Sequence, residues 1–178
     1  MKGASPIFTK RFDSYIWIRP EGRGTFLESS IIKDLVESTA ADGMRNFIID
    51  LEACPGMDST FMGMLAGLGI GFRKNKKGEI SIVGTTEKTR SSLKELGLQY
   101  LMAIEPTDEA WLEKMDEARR NLDLFDHKGE VDTEAHVLEC HEDLCIADDG
   151  NLHRFRTVLD MMGSDMAPKA STDEKGSD

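Results

Sequence analysis

Ser59 stands where a loop through Cys54, Pro55 and Gly56 gives way, after Met57 and Asp58, to a glycine-rich apolar helix. A helix N-terminus presents unsatisfied N–H groups and a partial positive charge, so a phosphate carried on a hydroxyl there is tolerated by the fold and offered to a partner. Phosphorylation of Ser59 is the chemistry this segment invites. The neighbouring aspartates also have structural roles open to them. Asp58, beside a helix start, can cap backbone N–H groups, and Asp50, ending the apolar run Phe47-Ile48-Ile49, can do the same for the loop.

Other chemistries fit the residues less well. Asp50 and Glu52 after an apolar strand resemble a phosphohydrolase nucleophile and its acid, but after Ile80 to Val83 the chain offers only Gly84, Thr85 and Thr86 where a second acid is needed. Ser59 lacks the glycine flanks of a nucleophile elbow. His136, Cys140, His141 and Cys145 have metal-ligand types, and on a helix His136 pairs with Cys140 and His141 with Cys145. The two pairs are offset by about 140° at 3.6 residues per turn, so the four cannot converge without a break. The expectation is a protein without catalytic residues, cofactor or metal, working through binding.

The elements that position Ser59 follow from periodicity. Pro6 to Thr9 and Tyr15 to Ile18 form a hairpin of short strands. Leu27, Ile31 and Leu35, with Ile32 and Val36, place a stripe on a helix from Phe26 to Ala41. Asn46 to Asp50 is a strand, Ser59 to Lys74 a helix buried on several sides, Ile80 to Val83 a strand, Glu87 to Leu96 a helix stopped by Gly97, and Leu101 to Ile104 a final strand. Gly63, Gly67 and Gly71 recur every four residues; each costs about 1 kcal/mol relative to Ala, and a bare stripe implies close approach to a sheet. The alternation defines an α/β sheet with right-handed crossovers. Further on, Trp111, Met115, Ala118 and Leu122 mark a helix over Thr107 to Asp126. Val131 to Leu144 and Leu152 to Met162 are two more helices, and Gly163 to Asp178 has the composition of a disordered tail.

Charge and composition narrow the partners. A net charge of −11 and 39% hydrophobic residues describe an acidic chain with a modest core, repelled by nucleic acid and by anionic membranes. Arg73, Lys74, Lys76 and Lys77 are the charged end of a helix and its turn. No apolar run approaches the ~20 residues of a membrane span. Three cysteines, an odd number with no secretory leader ahead of them, point to reduced thiols and a cytoplasmic protein.

The stretch from Ile48 to Leu98 resembles the STAS domain of bacterial anti-sigma factor antagonists. The shared pattern is an apolar strand ending in Asp50, the Asp58-Ser59-Thr60 helix opening, a strand ending near Gly84 and a helix closing on Gly97-Leu98. The resemblance implies a STAS-like α/β fold over residues 1–105: a mixed four- to five-stranded sheet with helices mainly on one face. A helical extension over 106–162 and the tail over 163–178 lie outside it. It further implies that Ser59 is phosphorylated by a serine kinase that is itself the anti-sigma factor, that a PP2C-like phosphatase reverses this, and that the unphosphorylated chain, a monomer or weak homodimer, sequesters the kinase. Asp50, Met57, Asp58, Thr60, Phe61 and Met62, with Met64, form the expected acceptor environment or contact surface. Phe61 departs from the family pattern, where glycine often follows the acceptor pair, so partner choice is expected to differ. The alternative is a STAS module that is never phosphorylated and serves as a scaffold in a transport or signalling complex.

Overall fold

A computed structural model describes residues 3–75, 78–127, 129 and 133–165. The N-terminal apolar runs form an antiparallel hairpin of β1 (Ile7–Arg11) and β2 (Tyr15–Pro20), in register from Ile7 opposite Pro20 to Arg11 opposite Ile16. Thr25 then starts α1 (Phe26–Ala41) with a capping box: its hydroxyl accepts from the Leu27 N–H, and Glu28 reaches back to the Thr25 N–H at 2.9 Å. Such caps contribute about 1 kcal/mol. β3 (Asn46–Asp50), α2 (Ser59–Asn75), β4 (Glu79–Val83), α3 (Glu87–Glu95) and β5 (Ala103–Ile104) follow, with β2, β3, β4 and β5 paired in parallel.

The sheet has six strands, in the order β5-β4-β3-β2-β1-β6, one more than the upper expectation. The extra strand is β6 (Asp123–Leu124), which lies antiparallel on the outer edge of β1, with Thr9 opposite Asp123. It falls inside the stretch expected to be one helix from Thr107 to Asp126. That stretch instead forms a 3-10 turn (Ala110–Lys114), the short α4 (Met115–Arg120) and β6. The apolar stripe was correctly placed, since Trp111, Met115, Ala118 and Leu122 all pack on the sheet. The helix ends early because the open edge of β1 offers backbone pairing that a further turn would forgo.

Strand alternation sends Ile16, Ile18, Phe47, Ile49, Ile80 and Ile82 to one face, under α1, α2 and α3. Tyr15, Trp17, Ile48 and Val83 point to the other, under Trp111 and Ala118. Each fully buried aliphatic or aromatic side chain contributes about 1.5–3 kcal/mol. The chain then returns to the first face. Helix α5 (Thr133–Ala147) lies across α2 and touches α1, and α6 (Asp149–Asp165) folds back along α5. Asn151 fastens that turn, its amide donating to the carbonyls of Leu96 and Leu144 at 3.0 and 2.8 Å. Residues 163–165, expected in the disordered tail, are the last residues of α6; residues 166–178 lie outside the described residues.

Candidate functional site: the start of the second helix and its cover

Asp58 is the N-cap of α2. Its Oδ1 accepts from the Phe61 N–H at 2.8 Å, and its Oδ2 accepts from the Phe26 N–H at 3.1 Å, so one carboxylate ties together the starts of α1 and α2. The loop before it is pinned to residues 22–24. Gly22 N–H donates to Ala53, Gly24 N–H to Gly56, and Asp58 N–H to Gly24, at 3.0, 3.0 and 2.8 Å. A Cβ on Gly24 would fall 2.8 Å from the Phe61 ring, which explains a glycine there. Ser59, first residue of α2, is therefore held in place by a rigid frame while its side chain remains half-buried.

The other expected site residues divide between core and surface. Phe61, Thr60 and Met64 are buried, so the aromatic that departs from the family pattern turns inward and cannot serve as contact surface; Met57 and Met62 stay half-buried beside the acceptor. Asp50 is not part of this group. Strand alternation points it to the opposite face of the sheet, fully buried, where it accepts from Trp17 Nε1 at 3.0 Å, from Arg119 Nε and Nη2 at 2.8 and 3.0 Å, and from the Glu52 N–H at 3.1 Å. The Asp50 contact holds the Arg119 guanidinium above its ordinary value. A Cβ at Gly84 would meet Asp50 Oδ1 at 2.6 Å, and Gly84 has φ +69°, so this glycine answers both to backbone conformation and to the carboxylate beside it.

The glycine stripe faces a helix, not the sheet. A Cβ at Gly63 would lie 2.2 Å from the Cys140 carbonyl oxygen, and one at Gly67 would lie 2.1 Å from Asp143 Oδ2, whereas nothing stands within 4 Å of Gly71. Helix α5 is thus seated directly on the backbone of α2, and Cys140 and Leu144 are buried in the main core. This seat brings His141 to the acceptor: its Nε2 is 2.9 Å from Ser59 Oγ, and its Nδ1 is 2.8 Å from the Val137 carbonyl. The His141 ring is buried, edge-on to Phe155 with centroids 5.3 Å apart.

Two further metal-type residues of α5 meet each other, the Cys140 sulfur lying 3.8 and 3.6 Å from His136 Nδ1 and Nε2. His136 Nε2 is 2.7 Å from Ser29 Oγ, and burial, then the Lys33 charge, pulls its pKa down. Burial pushes the Cys140 thiol up to about 12, the condition of an inert core sulfur. Among the described residues no three His, Cys, Asp or Glu side chains are grouped to hold a metal, and no helix is long and apolar enough to cross a membrane. Sequence spacing did not reveal His141 as a neighbour of Ser59 or Arg119 as the partner of Asp50. The available signal was a stripe of small residues on α2 matched by His136, Cys140 and Leu144 at intervals of four on α5.

Comparison with known proteins places this architecture. The STAS domain family matches residues 9–110, more than half of the chain, and the chain belongs to that family. No curated protein matches it in sequence. Its fold is similar to the crystal structure of a candidate anti-sigma factor antagonist from Thermotoga maritima, at 20% identity and TM-score 0.51, covering 63% of this chain and 93% of that one. The solution structure of that same protein, TM1081, gives 20% identity and TM-score 0.52, covering 64% and 88%. A substituted RsbS from Moorella thermoacetica gives 16% and 0.50, covering 65% and 98%.

Proposed function

We propose that this chain is an anti-sigma factor antagonist working as a phosphorylation-controlled binding switch in the cytoplasm, with Ser59 as acceptor. Its partners are an anti-sigma factor that is also a serine kinase, sequestered by the unphosphorylated form, and a PP2C-like phosphatase. The observation that carries this reading is the position of Ser59: half-buried, first in α2, immediately after an aspartate that caps the helix. Phosphate there adds about −1.5 to −2 charge and is stabilised by the helix start by about 0.3–1 kcal/mol. Pressed against a partner beside Asp58, in a chain of net charge −11, the same dianion loses hydration at a cost of several kcal/mol, and each 1.4 kcal/mol weakens binding tenfold. Phosphate therefore abolishes docking and leaves the fold intact. Because α5 borders Ser59, a partner reaching the hydroxyl also meets this helix.

One observation favours a second reading, an unphosphorylated STAS scaffold: the Ser59 hydroxyl is already engaged by His141. Incubation of the protein with ATP and an extract of its own cell, followed by mass mapping, separates the two. The switch predicts phosphate on Ser59, constitutive partner binding by Ser59→Ala and weak binding by Ser59→Asp. Equal binding by both variants, or an untouched Ser59, overturns it in favour of the scaffold.

A further inference from the structure

We propose that His141 is the general base for phosphoryl transfer to Ser59 and the cation that afterwards holds the phosphate. The role in phosphorylation rests on the acceptor reading above; the hydrogen-bond polarity beneath it does not. A carbonyl only accepts, so the 2.8 Å contact to Val137 fixes the proton on Nδ1 of His141. In the neutral ring Nε2 is then the acceptor, and at 2.9 Å the Ser59 hydroxyl must donate to it. A serine whose proton rests on an imidazole lone pair has its oxygen lone pairs free to attack. Hydroxyl, base and a group that orients the base are all present, with a backbone carbonyl in the orienting place.

The same helix carries a matched counterexample. His136 and Ser29 are 2.7 Å apart, but the Ser29 hydroxyl has a second acceptor, the Phe26 carbonyl, at 2.9 Å. The residue types are the same, but here the hydroxyl proton is not committed to the imidazole. Ser29 is not activated, and it is fully buried.

In the transfer step, a nucleoside triphosphate held by the kinase meets Ser59. The Oγ–phosphorus bond forms, the phosphorus–oxygen bond to the departing nucleoside diphosphate breaks, and the hydroxyl proton passes to Nε2. His141 is then an imidazolium, with Nδ1–H still on Val137 and Nε2–H available to the new phosphate as a charge-assisted donor at the helix start. A buried imidazole left facing an esterified oxygen would have lost its partner; the retained proton supplies one.

Diisopropyl fluorophosphate tests this without a kinase, since the serine oxygen attacks phosphorus, fluoride leaves and the base takes the proton. Full-length protein should be labelled at Ser59 and not at Ser29. His141→Gln, which can hydrogen-bond but cannot take up the proton, should slow labelling by about 10²-fold or more while retaining cooperative unfolding. Nitrogen-15 shifts of the wild-type imidazole should show the neutral Nδ1–H tautomer in the free protein, and both nitrogens protonated once extract and ATP have placed a phosphate dianion on Ser59, a readout that stands even if the variant fails to fold. Equal labelling rates, an unlabelled wild-type Ser59, or an Nε2–H tautomer in the free protein overturns the proposal. If labelling depends on His141 but extract and ATP leave Ser59 unmodified, the base assignment holds and the phosphorylation switch falls. If extract phosphorylates wild type and His141→Gln equally fast, the switch holds and the base assignment falls.

Discussion

The two faces of the sheet are closed by different physics. On one, the 3-10 turn and α4 are anchored by an ion pair: Arg119 makes a forked contact with a fully buried Asp50 and also reaches Glu52 at 3.0 Å, and Trp17 meets Trp111 edge-on with centroids 5.9 Å apart. On the other, α5 is seated by the absence of side chains at Gly63 and Gly67, with contacts from His136 and His141 to serine hydroxyls. A buried ion pair is costly to break from one side, whereas close backbone packing fails when volume is added. The acceptor serine lies on the glycine-seated face, so the packing of α5 governs its surroundings and the ion pair governs the integrity of the sheet beneath.

Breaking the ion-paired face should have the largest effect. Arg119→Ala leaves Asp50 buried with an uncompensated charge and should cost about 3–5 kcal/mol, seen as a lower urea midpoint. Asp50→Asn with Arg119→Met removes both charges and should recover most of that loss. A double variant no more stable than Arg119→Ala would show that packing of the guanidinium stem, not charge, holds this face. In either variant that still folds, the imidazole tautomer of His141 should be unchanged.

Adding volume to the other face should cost less in stability and more at the acceptor. Gly63→Val drives two methyl groups toward the Cys140 carbonyl, and overpacking of this kind costs about 1–3 kcal/mol. Because backbone is what the new side chain meets, α5 has to shift, and the 2.9 Å contact between His141 and Ser59 is lost with it. Hydrogen exchange should quicken in α5 and α6 ahead of the sheet. Uniform loss of protection across the molecule would mean that the two faces unfold as one unit and that the contrast between them has no energetic counterpart.

Much of this frame was legible in the sequence because its signals are local. The start of α2 after Asp58, the span of α1 and the strand ending in Asp50 each follow from short-range periodicity and capping residues. The contacts that distinguish the two faces are not local: Asp50 meets Arg119 across 69 positions and Ser59 meets His141 across 82. No period in either segment encodes the other. The glycine spacing correctly announced a close approach, but spacing alone does not say whether a sheet or a helix approaches. β6 was missed because two exposed residues carry no alternation, and only the unpaired edge of β1 calls for them.

The smallest predicted effect tests whether α5 is held at full advantage. Asp143 lies over Gly67, and burial, reinforced by Glu139, pushes its carboxyl up to about 6, against an ordinary value of 3.8. Between these values the folded chain binds more protons than the unfolded one, so stability falls as pH rises from about 4 to about 6, and the penalty is complete above that. The side chain is partly exposed, and solvent screening reduces the penalty to the order of 1 kcal/mol. Asp143→Asn mimics the protonated acid. It should match the wild type near pH 4 and exceed it by that amount above pH 6 in urea unfolding. A difference that is constant with pH would show that the carboxylate is already relaxed by solvent, and that the glycine seat, not the charge over it, sets how firmly α5 covers the acceptor.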